Sequence, residues 1–169
     1  MSTTTLLSSL FHYKSQANKD LLAALEALNV PEQTDSLHAA LRVLNHVYVV
    51  DRIFRAHLCN EAREYTATNT LETPTLSALS KAVLDNDMWF VDYVSALQAN
   101  DLEKPRSFVF TDGNHGLMSC EEILLHLITH GAYHRGAVGR ILDQQSAYRP
   151  PDGLTNYLHA AEPERRVPQ

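Results

Sequence analysis

Apolar residues recur at spacings of three and four positions along four long stretches of the chain, which is the period of an amphipathic helix. The four stretches span residues 4–28, 36–58, 75–97 and 120–144. Turn-forming and polar residues separate them, and residues 100–118 form a long connection between the third and the fourth stretch. The pattern predicts an all-α protein, a four-helix bundle with one long crossover connection.

Local signals predict where some of these helices begin. Ser119 and Glu122 form the S-x-x-E pattern of a capping box at the start of the fourth helix. Thr34 or Asp35 is a candidate cap for the second helix, and Pro74 precedes the third. These signals agree with the helical period.

Two shorter segments lie outside the four helices. SFVF has the composition of a short extended piece, but the sequence shows no partner strand for it. GLTNYLHAA, after the Pro-Pro break, predicts one more turn or a short helix. We therefore expect a single domain over residues 1–169, with a flexible C-terminal tail.

Composition and charge narrow the functional classes. The chain has 169 residues, of which 44% are hydrophobic, and a formal net charge of -6. The negative charge argues against a nucleic-acid partner, and no apolar run approaches the roughly 18 residues of a membrane span. Cys59 and Cys120 are the only cysteines, which excludes a disulfide framework and a cysteine zinc motif. A cytoplasmic protein is expected.

Two histidines occupy the apolar face of the fourth predicted helix. His130 and His134 share this face with Leu127 and Val138. Side chains at i and i+4 lie side by side, so both imidazoles can reach one metal ion, as in the helical H-E-x-x-H pair. This spacing predicts half of a metal site.

A third ligand is available on the second predicted helix, where His46 lies at the edge of the apolar arc. Three neutral imidazoles and one open position form a catalytic type of zinc site. Nickel, copper, iron and cobalt accept the same ligands. The spacing alone leaves open the competing interpretation that these are hydrogen-bonded core histidines.

Three more side chains are candidates for a supporting role. Asp51 and Arg135 are charged residues within or beside apolar arcs, and such residues are rarely buried unless paired. Asp51 could orient a ligating imidazole, or pair with Arg135 or Arg52. His126, one turn before His130, could be a fourth ligand or a capping donor, but a supporting or structural role is favoured. The other histidines are expected at the surface or in loops: His12, His38, His57, His115 and His159.

Two ordered motifs, LNHVYVVDRIFRAHL and EEILLHLITHGAYHRGAVGRIL, resemble the DinB-like (DinB/YfiT-like) metalloenzyme family. The segments YKSQANKDLL and PPDGLTNYL are also similar to it, so the resemblance covers about residues 4–158. It implies an up-down-down-up four-helix bundle, often a homodimer, with a divalent metal ion held by His46, His130 and His134. The family often has Gln after H-R-G, where this chain has Ala137. No role of that Gln is therefore expected here.

The resemblance also implies a metal-dependent enzyme with a small-molecule substrate, either a hydrolase or a thiol-dependent S-transferase. The expected ion is zinc or nickel, with iron, manganese or cobalt as alternatives, and a low-molecular-weight thiol is a candidate second cofactor. A metal-bound water would serve hydrolysis, whereas a metal-bound thiolate would serve transfer. The first alternative is a non-catalytic, dimerising metal-binding protein. The second is nucleophilic chemistry at Cys120, near a helix N-terminus. No catalytic residue is assigned.

Overall fold

The computed structural model describes residues 2–165. Four long helices form its body: α1 (Thr3–Leu25), α2 (Thr34–Cys59), α3 (Leu76–Ala96) and α5 (Cys120–Gln144). The connections and the C-terminal part hold two short helices and two strands: α4 (Ala99–Leu102), β1 (Pro105–Val109), β2 (His115–Ser119) and α6 (Leu154–Ala161). The predicted all-α class and its four long helices are confirmed. No helix within residues 2–165 has the length and apolar character to cross a membrane.

The helices form a four-membered bundle in which α1 and α2 each contact both α3 and α5. Residue contacts show the helix directions. Helix α1 runs antiparallel to α3, since Phe11 contacts Phe90 and Asn18 contacts Asp87. It runs parallel to α5, since Lys14 lies against Gly131 and Asn18 contacts Arg135, whereas α2 runs antiparallel to α5, with His46 on His130 and Phe54 on His126. The expected up-down-down-up order follows. The apolar faces of all four helices meet in the centre, where burial of side chains such as Leu25, Leu79 and Leu127 drives folding.

The ends of the helices confirm one predicted cap and contradict another. The Ser119 hydroxyl accepts a hydrogen bond from the Glu122 backbone amide at 3.2 Å, and Glu122 Oε2 accepts from the Ser119 amide at 2.7 Å. The predicted cap at Thr34 or Asp35 was wrong. Both residues lie inside α2, because a 3₁₀ turn over Pro31–Gln33 leads directly into this helix.

The expectation that SFVF has no partner strand was also wrong. β1 pairs with β2 in an antiparallel hairpin, in which Phe108 lies opposite Gly116. A Cβ atom at Gly116 would lie 2.6 Å from the Phe108 ring, so any larger residue there would force this ring to move. The glycine removes the period-two apolar pattern from the second strand, which is why the sequence did not reveal it.

The predicted short helix in GLTNYLHAA is present as α6. A 3₁₀ turn over Pro163–Arg165 follows it. The last part of the predicted flexible tail, residues 166–169, lies outside the described residues.

Candidate metal centre

The antiparallel pair of α2 and α5 brings the three predicted ligands together. His46 projects from α2 towards His130 and His134 on α5, and all three side chains are half-buried. Their ring centroids are 4.5 to 5.0 Å apart. One nitrogen from each ring can be chosen so that all three lie within 4.8 Å of one another. We call these three residues the histidine cluster.

The closest contact within the histidine cluster joins His46 Nε2 and His130 Nε2 at 3.1 Å. Two nitrogen ligands about 2.05 Å from a zinc ion lie about 3.3 Å apart at a tetrahedral angle and about 2.9 Å apart at a right angle. The observed separation falls between these values. The pair therefore has the spacing of two ligands of one ion, although one imidazole donating to the other would give a similar distance.

A loop contact fixes the ring of His46. Its Nδ1 lies 2.8 Å from the Thr68 carbonyl oxygen, which can only accept, so Nδ1 carries the proton and Nε2 is left with its lone pair. The loop is tied to α2, because the Asn45 amide donates to Thr70 Oγ1 at 2.7 Å. Sequence reasoning missed Thr68 and Asn45. The signal in the sequence was that Asn45 directly precedes His46 in the motif LNHVYVVDRIFRAHL.

Burial and mutual repulsion keep the imidazoles on α5 neutral. Burial, together with His134 and His46, lowers the pKa of His130 to about 3. Burial and His46 also lower the pKa of His134. A neutral imidazole is the form that binds a metal ion.

His126 lies beside the histidine cluster without belonging to the set of converging nitrogens. Its ring packs against Phe54 at 5.0 Å and against His130 at 5.3 Å between centroids. Burial lowers its pKa, so it too is neutral. A supporting role for His126 stays a prediction. His57, expected at the surface or in a loop, instead lies half-buried on α2 and stacks on Phe108 at 4.9 Å.

The pairing predicted for Asp51 was wrong. Neither Arg135 nor Arg52 forms an ion pair with it; its partner is Lys14, with Nζ 2.5 Å from Asp51 Oδ2. The same ammonium lies 3.0 Å from Asp87 Oδ1. All three side chains are buried between α1, α2 and α3, and we call Lys14, Asp51 and Asp87 the ionic cluster.

Lys14 was the most important residue that sequence reasoning missed. It is fully buried, and burial lowers its pKa, but Asp51 and Asp87 outweigh this effect and leave the pKa raised. Burial also raises the pKa of Asp51 to about 6, against the influence of Lys14. The signal in the sequence was a lysine at a position of the first predicted helix where the spacing of three and four calls for an apolar residue.

Arg135 belongs to a different contact. Its Nε lies 2.8 Å from Asp152 Oδ2, in the segment before α6. Burial lowers the pKa of Arg135, but the hydrogen bond and charge of Asp152 outweigh this and raise it. Arg52, the other suggested partner of Asp51, pairs with Glu64 at 2.7 Å.

The geometry opposes nucleophilic chemistry at Cys120. The side chain is fully buried, and burial raises the pKa of its thiol. Its sulfur lies 3.8 Å from the Tyr93 hydroxyl. A reactive thiol needs exposure and a lowered pKa, and Cys120 has neither.

Comparison with known proteins agrees with the fold and the motifs. The DinB family model matches residues 1–166, and the chain belongs to this family. A crystal structure of a DinB-like protein from Bacillus cereus superimposes with a TM-score of 0.62 at 17% sequence identity, covering 83% of this chain and 91% of the other. At this identity the superposition shows the fold alone. Among curated proteins no relative matches the chain.

Proposed function

We propose that the protein binds one divalent metal ion through His46, His130 and His134 and uses it as an enzyme. The convergence of three imidazole nitrogens within 4.8 Å carries this proposal. Zinc or nickel suits such a set best, and iron, manganese or cobalt would also accept it. Membership of the DinB family is compatible with metal binding.

The residues around the histidine cluster fit a metal site better than a hydrogen-bonded core. The Thr68 carbonyl holds His46 with its Nε2 lone pair towards His130. This arrangement resembles the outer contacts that orient metal-ligating histidines in other proteins. The lowered pKa of His130 keeps that ring available at neutral pH.

Three protein ligands leave a coordination position for water or substrate, which is the pattern of catalytic rather than structural zinc sites. A bound divalent ion would supply Lewis-acid activation of a water or of a thiol. We therefore propose a hydrolase or a thiol-dependent S-transferase with a small-molecule substrate, the latter with a low-molecular-weight thiol as cofactor. The half-buried histidine side chains leave part of each ring open to such a substrate.

Metal analysis of the purified protein without a histidine tag tests the site. We expect about one divalent ion per chain in the wild type, as one three-ligand site requires, and a loss of bound metal in His130→Ala. His126→Ala is the matched control, because His126 lies one turn away on the same helix and outside the converging set. Equal metal content in wild type and His130→Ala would end the proposal.

Turnover assays of the metal-loaded protein test the enzymatic part. Ester and amide substrates probe hydrolysis, and monochlorobimane with a series of thiols probes transfer. We expect turnover that disappears on chelation and in His130→Ala. Metal binding without any turnover would instead favour the non-catalytic metal-binding protein.

We further propose that the protein acts in the cytoplasm as a homodimer and binds no nucleic acid. The net charge of -6 and the presence of only two cysteines support the location and the absence of a nucleic-acid partner. Light scattering of the purified protein, which gives a dimer or a monomer mass, tests the assembly.

A further inference from the structure

Three buried side-chain polar atoms of residues 2–165 have no hydrogen-bond partner, and two of them belong to the ionic cluster and the histidine cluster: Asp51 Oδ1 and His130 Nδ1. Lys14 Nζ lies 2.5 Å from the other oxygen of Asp51. An unsatisfied buried polar group destabilises a protein, and one such group in each cluster calls for an explanation.

Lys14 also reaches towards His130. A Cβ atom on Gly131, the next residue of α5, would lie 3.3 Å from Lys14 Cε, so the lysine stem lies directly against this helix. The charge of Lys14 contributes to the lowered pKa of His130, after burial and the neighbouring histidines. Lys14 is thus the member of the ionic cluster whose stem lies against α5, next to His130.

Asp51 lies within about one helical turn of the level of His130 along the antiparallel pair of α2 and α5. His46 contacts His130 on one side of Asp51, and Phe54 contacts His126 on the other. Asp51 lies between residues 46 and 54 on α2, so its level on α5 lies between residues 126 and 130. The two unsatisfied atoms therefore belong to the same section of the bundle.

We infer that Asp51 is a positioning residue of the histidine cluster, and that one buried water joins Asp51 Oδ1 to His130 Nδ1. The inference rests on the proposed metal site. The water accepts a hydrogen bond from the Nδ1–H of His130 and donates one to Asp51 Oδ1. With its proton on Nδ1, His130 presents the Nε2 lone pair towards His46 Nε2, 3.1 Å away.

The ammonium of Lys14 completes this arrangement. It has three hydrogens, and the described contacts use two of them, on Asp51 and Asp87. The third can donate to the same water, which then has the three hydrogen bonds typical of a buried water. One water would therefore satisfy every free polar atom at this point.

The charge of the ionic cluster works in the same direction. Its two carboxylates and one ammonium sum to one excess negative charge when ionised. Three neutral imidazoles contribute no charge to balance a divalent cation, so a buried negative charge behind His130 favours the bound ion. Among the described residues, the converging groups include no carboxylate.

Zinc affinity of the full-length protein, measured by competition with a chromogenic chelator, tests the inference in two variants. Asp51→Asn keeps the shape of the side chain. Its amide oxygen must face the ammonium of Lys14, so its NH₂ group faces the water at a position where the water needs an acceptor. We expect zinc binding about 10- to 100-fold weaker. Asp87→Asn removes the same charge from the same ammonium, yet both oxygens of Asp87 already have partners, Lys14 and Asn18. The loss of zinc affinity in Asp87→Asn should be several-fold smaller than that in Asp51→Asn.

The outcomes separate the two proposals. A wild type that does not bind zinc would refute the metal site itself. Wild-type binding with equal losses in Asp51→Asn and Asp87→Asn, or with no loss in either, would refute the role of Asp51. A crystal structure of the zinc-loaded wild type decides the matter even if a variant fails to fold. It should show a water within hydrogen-bond distance of Asp51 Oδ1 and His130 Nδ1, and a dry contact there would overturn the inference.

Discussion

The histidine cluster and the ionic cluster both place polar side chains inside the same bundle, but they satisfy them differently. In the ionic cluster, the ammonium of Lys14 has carboxylate oxygens at 2.5 and 3.0 Å, and all three side chains are buried. In the histidine cluster, rings of one kind face each other, half-buried, and the salt bridges of residues 2–165 do not include them.

The difference teaches how to tell a structural polar group from a candidate binding group. Opposite charges that meet inside the protein need nothing from outside, although the desolvation cost makes such a group weak evidence for net stability. Lone pairs that converge without a matching donor or charge leave the arrangement incomplete. The converging groups of the histidine cluster include no carboxylate or ammonium, whereas each charge of the ionic cluster has an opposite charge beside it and only one oxygen of Asp51 lacks a partner.

The largest expected effect comes from breaking the ionic cluster. Lys14→Met keeps the length of the side chain and leaves two buried carboxylates without a counter-charge. We expect the free energy of unfolding to fall by about 3–5 kcal/mol, measured by urea denaturation of metal-free protein. His134→Ala is the comparison from the histidine cluster. It removes a half-buried ring and should cost less than about 1 kcal/mol without metal. Similar losses of unfolding free energy in Lys14→Met and His134→Ala would contradict the distinction between the two clusters.

The next largest effect is a difference in stability between alanine substitutions at two glycines of α5 that have different neighbours. A Cβ atom on Gly131 would lie 3.2 Å from Arg135 Nη1 and 3.3 Å from Lys14 Cε, both held by hydrogen bonds, whereas nothing lies within 4 Å of one on Gly136. Gly131→Ala gains helix propensity but forces these side chains to move, and we expect a net loss of about 1–2 kcal/mol. Gly136→Ala should gain about 0.5–1 kcal/mol.

Thermal and urea unfolding of the two alanine variants checks this pair. The two substitutions are chemically identical and lie on one helix, so propensity cancels in the comparison. A stabilised Gly131→Ala would mean that Lys14 and Arg135 adapt easily, and that the ionic cluster is less rigid than its contacts indicate.

The sequence predicted the helices well because the apolar period extends over more than twenty residues in each. It also predicted that His130 and His134 share a face, since spacing within one helix fixes their relative position. His46 could be proposed from its phase, but the distance between α2 and α5 depends on tertiary packing. The approach of His46 to the other two therefore required the structure.

Charge partners were harder to predict than helix faces. Asp51 has Arg52 beside it in sequence, yet its partner is Lys14, 37 residues away. Nothing local selects one cation among several, because the choice is made by how α1 and α2 pack. The β1–β2 hairpin was missed for a local reason, since Gly116 interrupts the alternation that marks a strand.

The smallest expected effect is a pH dependence that belongs to the histidine cluster. The pKa of His130 falls from 6.5 to about 3 in the folded protein. Between these values the unfolded chain binds a proton that the folded protein excludes, so the stability of the metal-free protein decreases as the pH falls from 6.5 towards 3. Asp51, whose pKa is raised from 3.8 to about 6, contributes the opposite slope below pH 6. The effect of His130 must therefore be isolated with a variant.

His130→Gln removes the titrating ring and leaves the ionic cluster in place. Over about 1.5 pH units a full shift would amount to about 2 kcal/mol, and solvent screening at a half-buried ring reduces it to about 1 kcal/mol or less. Urea unfolding of metal-free wild type and variant at pH 6.5 and pH 5 measures the difference. We expect the wild type to lose more stability than His130→Gln over this interval, since only the wild type must exclude the proton from this position. Parallel losses would show that His130 is as accessible to protons as in the unfolded chain, and the contrast with the enclosed ionic cluster would then disappear.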